Sequence, residues 1–124
     1  MMNYTVFTYG TLMKGQRNHH YLTESRFLCD AILEGYGLFD TPEDYPAAVG
    51  MDDHKVYGEL YEIDKNTKAS MDELEEVGIL YECKEVIVET EKGKKNAFFY
   101  EYLQSTEGMK PYKDKGKWIS EADR

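Results

Sequence analysis

Cysteine, proline, tryptophan and basic charge are all scarce in this chain of 124 residues, and the shortages are informative. Two cysteines, Cys29 and Cys83, without CxxC spacing cannot build a disulfide framework and suit a reducing compartment. A single bridge between them has nothing in its favour, so both read as half-buried thiols. Fifteen Lys and Arg against 24 Asp and Glu leave a formal net charge of −9, the wrong sign for a phosphate-backbone partner. The one basic cluster, Lys92 to Lys95 around Gly93, reads as a solvated hairpin turn. No apolar run approaches the ~20 residues of a membrane helix, and the N-terminus lacks a basic region followed by a long apolar stretch. The expectation is a soluble, cytoplasmic protein with neither nucleic acid nor membrane as partner. His19 and His20 are adjacent and diverge on a helix or strand, and His54 is isolated. With no further Cys or His at ligand spacing, no metal site is expected.

What is present is aromatic: 14% of the residues, including 11 tyrosines, which argues for a packed core rather than disorder. The length fits a single domain over residues 1–124. Asn3 to Tyr9 alternates β-branched and aromatic residues with both faces apolar enough to be covered, as in a central strand. It stops at Gly10. Gln16 to Leu22 is short, polar and weakly helical. Arg26 to Phe39 reads as a strand-like run broken by Gly35 and Gly37, Asp40 to Asp44 as a turn, and Pro46 to Val49 as a short extended piece. Lys55 to Ile63 is a further strand. Lys65 to Val77 is the one strong helix, with Ser70 and Glu73 spaced like an internal capping box and Gly78 as its stop. Leu80 to Glu89 and Lys94 to Leu103 form a hairpin across Glu91 to Lys95. Tyr112 and Trp118 are anchors in an otherwise polar tail. An α+β domain is expected, its five or six strands curled into a small, mixed, barrel-like sheet with one main packed helix.

Two features carry chemistry. The turn Tyr9-Gly10-Thr11-Leu12 leaves a strand at a residue without Cβ, where successive N–H groups can form an anion-binding concavity. Spacing alone favours the plainer reading of a simple turn. The helix carries Asp72, Glu73, Glu75 and Glu76, and successive residues are rotated by about 100°. Relative to the Met71–Leu74 stripe, Glu75 lies roughly 70° from the centre, Asp72 and Glu73 about 130°, and Glu76 about 170°. Glu75 is thus the carboxylate at the border of the buried stripe. Partial desolvation there raises a carboxyl pKa toward the range useful for proton transfer, although helix geometry by itself favours a border salt bridge.

In order along the chain, VFTYGTLMKG, YGLFDTPEDYPAAV, VYGELYEID and MDELEEVGILYECKEVIV resemble segments of the γ-glutamylcyclotransferase-like family, in particular its γ-glutamylamine cyclotransferase-like branch. The resemblance runs from about Tyr4 to Tyr100. It implies Glu75 as the catalytic acid/base, Tyr9, Gly10, Thr11 and Leu12 as the substrate-binding turn, and Tyr81 as a tyrosine that touches substrate or buttresses the glutamate. It implies a small-molecule γ-glutamyl substrate whose α-amine attacks its own γ-carbonyl, releasing 5-oxoproline and an amine without metal or cofactor. The leaving amine would be read by Gln16 to Ser25 and the tail. One departure stands out: the family often has glycine directly after the catalytic glutamate, where this chain has Glu76. The alternative is a non-catalytic small-molecule-binding or interaction module on the same fold.

Overall fold

The computed structural model describes residues 3–112 and 116–120. Six strands form one sheet: β1 (Tyr4–Thr8), β2 (Arg26–Asp40), β3 (Pro46–Ile63), β4 (Tyr81–Thr90), β5 (Gly93–Tyr102) and the two-residue β6 (Lys110–Pro111). The order is β3-β1-β5-β4-β2-β6, and a further β2–β3 pairing joins the two ends of the first five into a ring. β1 pairs parallel with β5 through Val6 and Phe98, while the other pairings are antiparallel, so the sheet is mixed as expected. A 3-10 turn at His19–Leu22 and α1 (Lys65–Leu74) complete the elements, α1 being the one α-helix among the described residues.

β1 lies between β3 and β5, and both its faces are covered. Val6 belongs to a core cluster with Leu12, Tyr61, Met71, Tyr81 and Tyr100. Phe7 belongs to a second cluster with Leu60, Val88, Phe99 and Trp118. Period-two alternation divides β5 in the same way, sending Ala97 and Phe99 to one cluster and Tyr100 and Tyr102 to the other. Trp118 is fully buried, so the tail anchor joins the core. Cys29 and Cys83 are free and half-buried.

Several boundaries differ from the sequence reading. Pro46–Val49 and Lys55–Ile63 are the two ends of one 18-residue strand. The polar, exposed Met51–His54 stretch that separates them lies within the strand but has no partner in the β2–β3 register, and Asp53 there has φ +62°. Gly35 and Gly37 do not interrupt β2. The register shift between Glu34 and Tyr36 absorbs Gly35, whose φ is +85°, as a bulge. α1 stops at Leu74, three residues short of Val77, and its N-cap is Asp64, whose side chain accepts the Thr67 N–H at 2.7 Å; the Ser70–Glu73 capping box does not form.

Candidate active site

The end of α1 decides where its acidic residues point. Glu75 is the C-cap, and Glu76 adopts φ +48°. The Glu76 N–H donates to the Glu73 carbonyl and the Val77 N–H to the Asp72 carbonyl, both at 3.1 Å. This is the Schellman pattern, and its left-handed residue is normally glycine. Glu76 therefore holds a conformation that a side chain disfavours by about 1–2 kcal/mol. Glu76→Gly is therefore expected to raise Tm by about 2–5 °C, since part of that strain is offset by the greater freedom of unfolded glycine. A thermal melt in which Glu76→Gly is no more stable than the parent contradicts this account.

From the C-cap position, Glu75 lines a cavity of ≈ 390 Å³ together with the Tyr9-Gly10-Thr11-Leu12 turn and Tyr81. All six residues singled out from the sequence thus border one space, although they are spread over 73 positions of the chain. Among the described residues, no group hydrogen-bonds or ion-pairs with the Glu75 carboxylate. Burial pushes its pKa from the usual carboxylate range up to about 7. Nearby are three tyrosine hydroxyls whose own pKa values are raised, first by burial and further by the Glu75 charge: Tyr9, Tyr81 and Tyr100. All three therefore remain protonated, and each proton is already committed. Tyr9 donates to the Tyr100 carbonyl at 2.5 Å, Tyr81 to the Pro46 carbonyl at 2.7 Å and Tyr100 to Asp72 Oδ1 at 2.7 Å. With their protons turned elsewhere, Tyr81 and Tyr100 can offer the cavity only acceptor lone pairs.

The opposite wall has the complementary character. Within the turn, the Gly10 carbonyl accepts the Met13 N–H and the Thr11 carbonyl accepts the Asn18 N–H. The Leu12 carbonyl lies 2.9 Å from His19 Nδ1, which must carry the proton because a carbonyl only accepts. Asn18 Nδ2 also donates to Thr11 Oγ1 at 2.9 Å. Three consecutive carbonyls are tied back in this way, while the Thr11 and Leu12 N–H groups donate to no protein acceptor among the described residues. Gly10 is required for a different close approach. A Cβ there would lie 2.7 and 2.8 Å from Pro46 Cγ and Cδ, so the glycine lets the turn pack against the start of β3.

Arg17, Asn18, Glu43, Tyr45, Pro46 and Tyr100 also line the cavity and were not singled out from the sequence. For Tyr100 a signal existed, because period two on β5 places Phe98, Tyr100 and Tyr102 on one face. Asp72, placed about 130° from the helix's buried stripe, is nonetheless engaged: besides Tyr100 it receives Lys68 Nζ at 2.7 and 2.9 Å. Glu76 is exposed at the cavity rim. His19 and His20 diverge, and no group of three or more potential metal ligands occurs among the described residues. No helix among them is long and apolar enough to cross a membrane.

Comparison with known proteins agrees over nearly the whole chain. The family model described as gamma-glutamyl cyclotransferase, AIG2-like, matches residues 6–120. The gamma-glutamylcyclotransferase family protein YtfP of Escherichia coli K12 is 32% identical over 114 residues, covering 92% of this chain and 95% of that protein. Gamma-glutamylaminecyclotransferase A of Danio rerio is 34% identical over 107 residues, covering 77% of this chain and 66% of that one. Among solved structures, an AIG2-like protein from Mus musculus superposes with a TM-score of 0.86 over 98% of this chain and 91% of that chain; at 21% identity it speaks for the fold.

Proposed function

This chain belongs to the gamma-glutamyl cyclotransferase, AIG2-like family, and on that premise we propose that it cyclises the γ-glutamyl group of a γ-glutamyl amine, releasing 5-oxoproline and the free amine, with Glu75 as general base and then general acid. The observation that carries this reading is the desolvated Glu75 carboxylate, unpartnered among the described residues, in one cavity with a turn whose Thr11 and Leu12 amides meet no acceptor among those residues.

A γ-glutamyl group is a zwitterion at its α-carbon, and the cavity offers one wall for each charge. The Thr11 and Leu12 amides suit the α-carboxylate or the oxyanion that develops on the γ-carbonyl. Glu75, with the acceptor oxygens of Tyr81 and Tyr100, suits the α-ammonium. Glu75 takes a proton from that ammonium, and the freed nitrogen attacks the γ-carbonyl carbon. A carbon–nitrogen bond forms within the substrate, closing a five-membered ring. The bond to the leaving nitrogen then breaks as Glu75 returns its proton to the departing amine, and the second proton lost by the ring nitrogen follows by the same carboxylate, so the amine leaves as its ammonium and the ring nitrogen keeps one hydrogen. The nucleophile belongs to the substrate, so folding the glutamyl chain is the protein's main contribution beyond proton transfer, worth several kcal/mol of the barrier, on the order of 5.

Incubation with γ-glutamyl-ε-lysine and related amides, with 5-oxoproline as readout, tests the reaction. A base must be ionised before it can act, so kcat/KM is expected to rise about tenfold per pH unit below about 7 and to level above it. A profile that is flat between pH 5 and 8 rules out Glu75 as the base. Absence of turnover on every γ-glutamyl compound, with no consequence of removing Glu75 for ligand binding, turns the assignment to a non-catalytic binding module.

A further inference from the structure

Tyr100 is held at both ends. Its carbonyl accepts the Tyr9 hydroxyl, and its own hydroxyl donates to Asp72 Oδ1 at 2.7 Å. Lys68 Nζ in turn donates to both Asp72 oxygens, at 2.7 and 2.9 Å. Tyr100 borders the cavity, whereas Lys68 and Asp72 do not. A chain of contacts thus runs from behind the cavity wall to its surface.

A helix pair four residues apart is ordinarily a solvated contact of small value. This one is built differently. The Lys68 side chain is only 13% exposed, and its ammonium lies 5.3 Å from the Phe98 ring centroid, 5.7 Å from that of Tyr100 and 6.0 Å from that of Tyr4. Those rings belong to β5 and β1, so the sheet fixes the cation as well as its own helix does. Two charge-assisted bonds from a fixed ammonium set the Asp72 carboxylate, whose Oδ1 meets the Tyr100 hydroxyl.

A phenol has one proton to give. Of the three hydroxyls near Glu75, those of Tyr9 and Tyr81 donate to main-chain carbonyls, and only that of Tyr100 depends on a side chain. Besides Asp72, the titratable groups that act on Tyr100 are Cys83 of β4 and Glu75 itself. Around Glu75 the lining adds Tyr9 of β1, Tyr81 of β4, and Arg17, Glu43, Tyr45 and Glu76 from the connecting segments. Arg17 is paired with Asp44. Released from Asp72, the Tyr100 proton would be the one free to turn toward the Glu75 carboxylate.

We propose that Lys68 and Asp72 are positioning residues for the cyclisation, holding the Tyr100 hydroxyl as an acceptor for the substrate ammonium and withholding its proton from Glu75. This inference rests on the cyclotransferase reading.

The test is a double-mutant cycle between Asp72→Asn and Tyr100→Phe, read as kcat/KM against pH on γ-glutamyl-ε-lysine. An amide accepts a hydrogen bond less strongly than a carboxylate, so Asp72→Asn loosens the phenolic proton. The midpoint of the profile is expected to fall by about one pH unit, because ionised Glu75 gains a donor. The plateau is expected to fall about tenfold, because the ammonium loses an acceptor. In the Tyr100→Phe background, which has no proton to release, Asp72→Asn is expected to change neither. An unmoved midpoint in Asp72→Asn overturns the proposal. A shift that persists beside Tyr100→Phe also overturns it, since that marks the lost Asp72 charge acting through space. If Asp72→Asn does not fold, Lys68→Met takes its place by freeing the carboxylate to rotate: a smaller shift in the same direction that requires Tyr100 upholds the proposal, and no shift overturns it. If no γ-glutamyl amide yields 5-oxoproline, the reaction assignment fails, and carbon-13 NMR titration of the Glu75 carboxyl in the same variants still decides the positioning. A lowered Glu75 pKa that requires Tyr100 upholds it; an unchanged one removes it.

Discussion

Replacing Glu75 by glutamine is expected to lower kcat by about 10²–10⁴-fold, the range contributed by a positioned acid/base, while making the protein more stable at pH 8. The two effects share one origin. Glutamine is nearly isosteric and keeps the cavity shape, but cannot exchange a proton with the substrate amine. The folded state raises the Glu75 pKa to about 7 from the ordinary 4.5, a difference of about 2.5 pKa units. A carboxyl raised on folding favours the native state fully at pH values below 4.5, where it is neutral in both states. That contribution is lost as pH rises to about 7, because the folded protein must then ionise a desolvated group. At about 1.4 kcal/mol per unit the loss comes to roughly 3 kcal/mol. Glu75→Gln escapes it, so its stability relative to the parent should grow by roughly that amount between pH 4 and pH 8. Denaturant unfolding at the two pH values, together with 5-oxoproline release, checks both halves. Undiminished turnover removes Glu75 from the chemistry. A stability difference that does not change with pH removes the desolvation.

The second large effect lies outside the cavity. Gly58→Ala is expected to destabilise the fold by about 3 kcal/mol or more, the upper range for overpacking. A Cβ on Gly58 would sit 2.2 Å from the Thr8 carbonyl oxygen and 2.7 and 2.8 Å from Phe7 ring carbons. The backbone of β1 cannot yield easily, because it is held between β3 and β5 and buries side chains on both faces. Thr8 is also the last residue of β1 before the cavity-lining turn, so any displacement there reaches Tyr9 to Leu12. Loss of kcat/KM should accompany the loss of stability. Gly50→Ala is the control: a Cβ there meets nothing within 4 Å, and an effect within about 0.5 kcal/mol is expected. If Gly58→Ala unfolds within 1 kcal/mol of the parent, on the order of ordinary substitutions, the close approach of β3 to Thr8 is not a constraint.

Local pattern carried much of the fold. The alternation in β1 and β5, the β4–β5 hairpin and the amphipathic stripe at Met71 and Leu74 are short-range periodicities, and each corresponds to an element of the structure. Boundaries were less legible where a polar stretch stays in a strand. Met51 to His54 is mostly exposed and has no partner in the β2–β3 register, yet Lys55 and Gly50 on either side pair with Glu34 and Tyr36, a long-range pairing that local composition does not reveal. The α1 terminus was misplaced by three residues for a related reason. Glu76 is an unfavourable residue for a left-handed cap, held there by the carbonyls of Asp72 and Glu73 and by the Ile79 and Leu80 N–H groups that donate to its own carbonyl.

By itself the sequence determined the class of fold, the alternation that covers both faces of the first strand, and Glu75 as the one acidic residue at the edge of the helix's buried stripe. Periodicity is a property of neighbouring residues, which is why these were available without coordinates. Tertiary structure alone decided that Glu75 shares a cavity with a turn more than sixty residues earlier, that Tyr100 lends its hydroxyl proton to Asp72, and that Arg17 pairs with Asp44. These depend on closure of the β2–β3 ladder and the parallel approach of β5 to β1. Burial and hydrogen-bond partnership, which set a carboxyl's proton affinity, arise only where distant segments meet.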